Sequence, residues 1–112
     1  MSVGEHAQPA AELTLRGITL DVAGCCVRVE GRLVPLAPME LTVLRILMEH
    51  AGTVVSFRSL VAAAWHGEGA PTTRSLNAHI LRLRKKIETD PHRPRLIRTV
   101  RQVGYVFDLY PR

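Results

Sequence analysis

Residues 74–101, RSLNAHILRLRKKIETDPHRPRLIRTVR, hold nine Arg or Lys against only Glu88 and Asp90, a local net charge of +7. The remaining residues carry six basic and eight acidic groups, net −2, so the formal +5 of the chain comes from one quarter of its length. The first half of the stretch reads as a helix, capped by Thr72 or Thr73 and running to about Glu88. At about 100° per residue, Leu76, Ile80, Leu83 and Ile87 form one narrow apolar stripe. Arg74, Ala78, Leu81 and Lys85 stand on the opposite side, flanked by Asn77 and Arg82, so one face docks and the other is presented. After Pro91 and Pro94, two β-type runs, Leu96 to Val100 and Tyr105 to Leu109, are joined through Arg101-Gln102-Val103-Gly104. That pattern predicts a hairpin with an arginine near its tip. Positive charge gathered on a helix and the hairpin after it suits a polyanion, because each Lys or Arg beside a phosphate releases condensed counterions.

Upstream, Pro38 fits a first helical position and Glu40 the third, opening an apolar run through Leu41, Val43, Leu44, Ile46, Leu47 and Met48 that Gly52 ends. Ala37 is a poor N-cap, about 1 kcal/mol worse than Ser or Thr, so proline and period place this start. Ser56 caps a shorter helix reaching Trp65, and residues 66–71 read as a loop. Before the helices, glycine-marked turns at Arg16-Gly17, Ala23-Gly24 and Glu30-Gly31 separate short β-type pieces: Leu13 to Leu15, Ile18 to Val22, Cys26 to Glu30 and Arg32 to Leu36. They describe a small antiparallel meander that must lie on the helices to be stable. Residues 1–12 have no apolar periodicity and are expected to be a flexible segment or linker stub ahead of one domain over 13–110.

At 112 residues the chain is long enough for one domain with a modest core. Its 46% hydrophobic and 22% charged residues are too apolar for a disordered basic tail. No apolar run approaches the roughly 20 residues of a membrane span and no secretory start is evident, which gives a cytoplasmic expectation. Cys25 and Cys26 are adjacent in a predicted strand, where neighbours point to opposite faces and do not easily share a metal. The five histidines lack metal-ligand spacing, and no cofactor is expected. His79 is expected to pack at the edge of its helix or to meet a phosphate, and Trp65 to pack in the core and anchor the loop after it.

A three-helix unit whose last helix has a basic outer face, followed at once by a basic hairpin, has the parts of a winged helix-turn-helix. The major groove, about 12 Å wide, admits one α-helix. The minor groove, with its enhanced negative potential in A·T-rich sequence, admits an arginine from a hairpin tip. SLNAHILRLRKKIETDP and PRLIRTVRQVGYVF resemble the recognition helix and wing of the OmpR/PhoB-type DNA-binding domain, the effector half of bacterial two-component response regulators. The resemblance continues upstream through LAPMELTVLRILMEHAGTVVS and LVAAAWHGE, and covers about residues 13–110. It implies an α+β fold: an N-terminal four-stranded antiparallel sheet, three helices and a C-terminal β-hairpin wing.

By the same resemblance, the helix over 73–88 enters the major groove and the wing over 96–109 meets the minor groove. Arg74 and Arg82 match positions that grip phosphates and the groove edge. Asn77, Ala78 and Leu81 match variable base-facing positions, Lys85 lies on the same outer face, and Thr99 and Arg101 match wing contacts. Trp65, His66, Gly67, Glu68 and Gly69 match a loop that in some members touches RNA polymerase. Asn77 stands where an acid is frequent, Leu81 where a polar or basic residue is frequent, and Gln102 where glycine is frequent at the wing tip. The implied partner is double-stranded DNA, bound head to tail on direct repeats; with no coiled-coil heptad and no large exposed apolar patch evident in the sequence, the free protein is expected to be monomeric. A phospho-acceptor domain would need a further ~100 residues, so the chain reads as the output half of a regulator or a stand-alone relative.

Two other classes compete. An enzyme would want converging carboxylates, a nucleophile with its base, or a glycine-rich phosphate loop. Glu40, Glu49 and Glu68 are scattered, and Ser56 and Ser59 read as helix-start residues, so no enzyme is expected. A protein-binding version of the scaffold would more often present an apolar or aromatic patch in place of the basic face. RNA is disfavoured because the deep, narrow major groove of A-form helices excludes such a helix.

Overall fold

The computed structural model describes residues 12–65 and 72–109. Four strands, β1 (Glu12–Leu15), β2 (Ile18–Asp21), β3 (Cys26–Val29) and β4 (Arg32–Pro35), form an antiparallel meander in chain order. Glu12, expected in the leading segment, opens β1, and residues 1–11 lie outside the described residues. Two of the three turns are tight: Arg16 and Gly17 both have positive φ (52° and 79°), as do Glu30 and Gly31 (50° and 87°). Paired left-handed residues match the right-handed twist of the strands they join. Strand register follows the alternation of side chains: Leu20 lies opposite Val27, and Ile18, Leu20 and Val27 are buried on the inner face.

That inner face rests on helix α1 (Pro38–Glu49), the buried helix of the unit. Val43, Leu44 and Leu47 are fully enclosed, each contributing roughly 1.5 to 3 kcal/mol by leaving water. The weak Ala37 cap is compensated in part by Glu40, whose Oε1 accepts the Ala37 N–H at 2.9 Å. Helix α2 (Phe57–Ala64) begins at Ser56, whose hydroxyl accepts the Ser59 N–H at 3.0 Å. Helix α3 (Thr73–Ile87) begins at Thr72, whose hydroxyl accepts the Ser75 N–H at 3.1 Å. The predicted stripe of Leu76, Ile80, Leu83 and Ile87 is the buried face of α3 and completes the core with Leu60 and Phe107.

The C-terminal hairpin is β6 (Ile97–Val100) and β7 (Gly104–Phe107). It is one strand larger than the sequence pattern indicates, because the two residues of β5 (Val55–Ser56) add to the far edge and give the order β5-β7-β6. Gly104 makes that third strand possible: a Cβ built there would lie 1.9 Å from the Val55 carbonyl oxygen, inside any permitted contact. The wing sheet is thereby welded to the start of α2, with Val55 opposite Tyr105.

Candidate nucleic-acid interface

Helix α3 is held on both flanks, and this leaves its outer face in a fixed pose. On the wing side, Arg84 is buried at 7% exposure. Its Nε donates to the Ile97 carbonyl at 3.1 Å and its Nη2 to the Thr99 hydroxyl at 2.8 Å. Burial lowers the Arg84 pKa, opposed by Tyr105 and Glu88, but a guanidinium stays charged at any working pH. Two turns earlier on the same flank, the Tyr105 hydroxyl donates to Asn77 Oδ1 at 3.0 Å. At the end of the helix the buried Glu88 carboxylate accepts the N–H groups of Arg95, Leu96 and Ile97 at 2.8 to 3.1 Å. The strand leading into the wing thus starts from a fixed point on α3.

On the opposite flank, Lys86 donates to the buried Glu40 carboxylate at 2.5 Å and to the Pro35 carbonyl at 3.2 Å. Burial alone would push the Glu40 carboxyl up, but its hydrogen bonds from Lys86 and Ala37, with the charges of Lys86 and Arg82, outweigh that and hold it below its usual range. His79 lies against Trp65, ring centroids 5.7 Å apart, with Nδ1 3.2 Å from Arg82 Nη1. Burial and the Arg82 charge pull the His79 pKa below its ordinary value. The imidazole is therefore neutral at neutral pH and accepts from Arg82.

Between these flanks lies the presented face. Arg74, Leu81, Arg82 and Lys85 are exposed and Ala78 is half-buried, as the helical period predicts. Leu81, with 47% of its surface open, is a large apolar side chain amid the charges. Asn77 is exposed beside them, its carbonyl oxygen engaged by Tyr105. Thr99 is exposed as well; its oxygen receives Arg84, and its hydroxyl proton stays available to an outside acceptor.

Arg101 occupies the second position of the turn that Val103 N–H closes onto the Val100 carbonyl at 3.0 Å. Gln102, third in that turn, takes φ 66°, the left-handed conformation that glycine ordinarily supplies. The turn keeps its shape without glycine, and Arg101 stays exposed at its outer corner. Of the loop residues, Trp65 is half-buried at the end of α2, and His66, Gly67, Glu68 and Gly69 lie outside the described residues.

Charge counting along the sequence overstates this face. Arg84 and Lys86 are used internally, and Arg98 is paired with Asp108 at 2.9 Å. Arg93 and Arg95 line a groove of about 1020 Å³ with Arg16, Arg32, Glu30 and Asp90, between the turns of the N-terminal sheet and the connection from α3 to β6. Arg74, Arg82, Lys85 and Arg101 remain as the exposed basic groups of the helix face and wing tip. Arg84 and Glu88 are among the staples that sequence reasoning missed, with Lys86 to Glu40 and Tyr105 to Asn77. Arg84 had a signal, since its position lies 80° from the Leu76 line and not opposite it, by about 100° per residue. Glu88 had none, because an acid just past a helix end has no periodic partner.

Residues 31–107 match the family described as transcriptional regulatory protein, C terminal. Regulatory protein VanRc of Enterococcus gallinarum is 41% identical over 78 residues, covering 70% of this chain and 34% of that protein. Among solved structures, the response regulator DrrB, a Thermotoga maritima OmpR/PhoB homologue, superposes with a TM-score of 0.79 at 35% identity, over 88% of this chain and 44% of that one. The Klebsiella pneumoniae RstA DNA-binding domain, solved in complex with the RstA box, gives 0.77 at 28% identity, over 88% of this chain and 98% of that one. The chain thus spans about a third of VanRc and under half of DrrB. With the family match over most of its length and the same sheet, helices and hairpin as these neighbours, the chain belongs to the OmpR/PhoB-type winged-helix DNA-binding domains of transcriptional regulators.

Proposed function

We propose that this domain binds specific duplex DNA as the output module of a bacterial response regulator or a stand-alone relative, with α3 in the major groove and the wing tip at the minor groove. The observation that carries this reading is the rigid joint between helix and wing. Arg84 and Tyr105 tie α3 to β6 and β7, so that one exposed face with Arg74, Arg82 and Lys85 is presented in a fixed relation to Arg101. Recognition then divides by chemistry. Arg74, Lys85 and the Thr99 hydroxyl meet phosphates and set the register. Asn77, Ala78, Leu81 and Arg82 face base edges, where an aliphatic Leu suits a thymine methyl and a guanidinium suits guanine. Arg101 enters the adjacent minor groove and prefers A·T-rich flanks through groove width.

Two copies bind head to tail on direct repeats, and the segment from Trp65 to Gly69 is the surface offered to RNA polymerase. Such a protein acts in the cytoplasm and has no catalytic role of its own. No helix of the described residues is long and apolar enough to cross a membrane. Selection from random duplexes, followed by titration of the selected site against salt, tests the reading. A defined motif is expected, with a log-log salt slope of roughly −3.6, as the four exposed cations Arg74, Arg82, Lys85 and Arg101 each displace about 0.9 counterion from the duplex. No enriched motif together with a slope near zero would overturn it.

A further inference from the structure

The Tyr105 hydroxyl that donates to Asn77 Oδ1 is fixed from every side. Tyr105 is 2% exposed, Phe57 meets its ring edge-on with centroids 5.5 Å apart, and the Arg84 guanidinium lies 5.9 Å from its centroid on a face. Burial raises the phenol pKa above 10.0, so the hydroxyl keeps its proton at physiological pH. Turning the Asn77 amide round would present a donor to Tyr105 and leave the phenol proton without another described acceptor. The orientation with Oδ1 toward Tyr105 satisfies both groups. Asn77 itself is exposed, on the wing-side flank of the presented face of α3. What it still offers to solvent is its Nδ2 amide, a donor.

We propose that Asn77 is a specificity-determining residue that reads the major groove as a donor only, because Tyr105 holds its carbonyl, and that it therefore selects guanine at one base position. The proposal rests on the DNA-binding reading above. An unrestrained Asn pairs bidentately with adenine, donating to N7 and accepting from the N6 amino group. With Oδ1 turned toward the wing and already accepting from Tyr105, adenine can take the Nδ2 donor at its N7, but its amino group must compete with the phenol for that oxygen. Guanine presents two acceptors, N7 and O6, to the same amide, whereas cytosine presents only a donor in the major groove. The order expected is guanine first and cytosine last. Tyr105 is a positioning residue in this arrangement: it touches no base and acts through Asn77.

Parallel binding-site selections with the wild-type protein, Asn77→Asp and Tyr105→Phe decide the matter. The wild type is expected to favour guanine at one position. Asn77→Asp keeps an acceptor for Tyr105 but turns an oxygen to the groove, so the preference at that position should invert to cytosine, by about two- to tenfold. Tyr105→Phe keeps the buried ring and releases Oδ1, so adenine should become accepted at the same position while the rest of the motif stays. A wild-type preference for adenine there, or two variants that lose affinity uniformly without any change of motif, overturns the proposal and leaves DNA binding intact. Absence of duplex binding by the wild type overturns both.

Discussion

Gly104 and Gln102 sit two residues apart in the wing and make opposite demands on the backbone. Gly104 is required by space: with the Val55 carbonyl oxygen 1.9 Å from where its Cβ would be, β5 must detach from β7 if any side chain is added. Gly104→Ala is expected to cost about 2 kcal/mol or more in urea unfolding, as overpacking against backbone does. Gln102 instead bears a conformational cost at φ 66°. Gln102→Gly is expected to raise stability by roughly 0.5 to 1 kcal/mol, the left-handed strain removed exceeding the entropy added to the unfolded chain. Glu40 supplies a pH dependence. Its folded pKa lies below the unfolded value, so its contribution is complete above the unfolded pKa of about 4.3 and is lost as pH falls through the folded one. Lys86→Met strands the buried carboxylate. At pH 7 it should cost about 2 kcal/mol, less than for a fully enclosed pair because Lys86 reaches solvent. The deficit should shrink as pH falls toward 4 and Glu40 takes up a proton. A deficit that does not change between pH 7 and pH 4 would show that Glu40 is not the group Lys86 serves.

Among the elements, those whose cause is local were legible in the sequence. Pro38, Ser56 and Thr72 place the helix starts, the glycine-marked turns place the four-stranded meander, and the Leu76 to Ile87 stripe orients α3. What was not legible depends on contacts far apart in the chain. Strand β5 has only two residues and exists because Gly104 lets β7 approach it. Arg84 and Lys86 look like surface cations until the wing and Glu40 are placed beside them. The candidate interface followed the same division: the outward positions of α3 were readable from its period, whereas the engagement of Asn77 by Tyr105, 28 residues away, was not. The coupling between elements can be measured. Arg84→Met leaves the Ile97 carbonyl and the Thr99 hydroxyl without their donor, so unfolding should be easier by about 1 to 3 kcal/mol. Flank preference should also weaken, because Arg101 is no longer held in phase with α3. Loss of stability with flank preference unchanged would mean that β5, Tyr105 and Glu88 suffice to align the wing.

For the whole molecule, the exposed basic groups of residues 74–101 are divided between two surfaces, and only one of them is expected to respond to DNA. Arg74, Arg82, Lys85 and Arg101 belong to the helix and wing tip, whereas Arg93 and Arg95 line the groove beside the N-terminal sheet with Glu30 and Asp90. Replacing Arg93 and Arg95 together by Gln should leave the salt slope of DNA binding unchanged for a single domain, and replacing Arg74 and Lys85 should reduce its magnitude by about 2. Assembly follows from the same asymmetry. The exposed large apolar side chains of the described residues, Leu33, Val54, Leu81 and Val103, are spread over β4, the approach to β5, α3 and the wing. No contiguous patch of the kind that drives a stable free dimer is formed by side chains so distributed. Free protein is therefore expected to sediment as a monomer, and two copies to pair only when DNA aligns them. Head-to-tail copies on one side of the duplex need half-sites about 10 to 11 base pairs apart. Inserting five base pairs between half-sites should abolish cooperative binding, and ten should restore the facing while stretching the contact. A dimer free in solution, or cooperativity indifferent to a five-base-pair insertion, would contradict this arrangement.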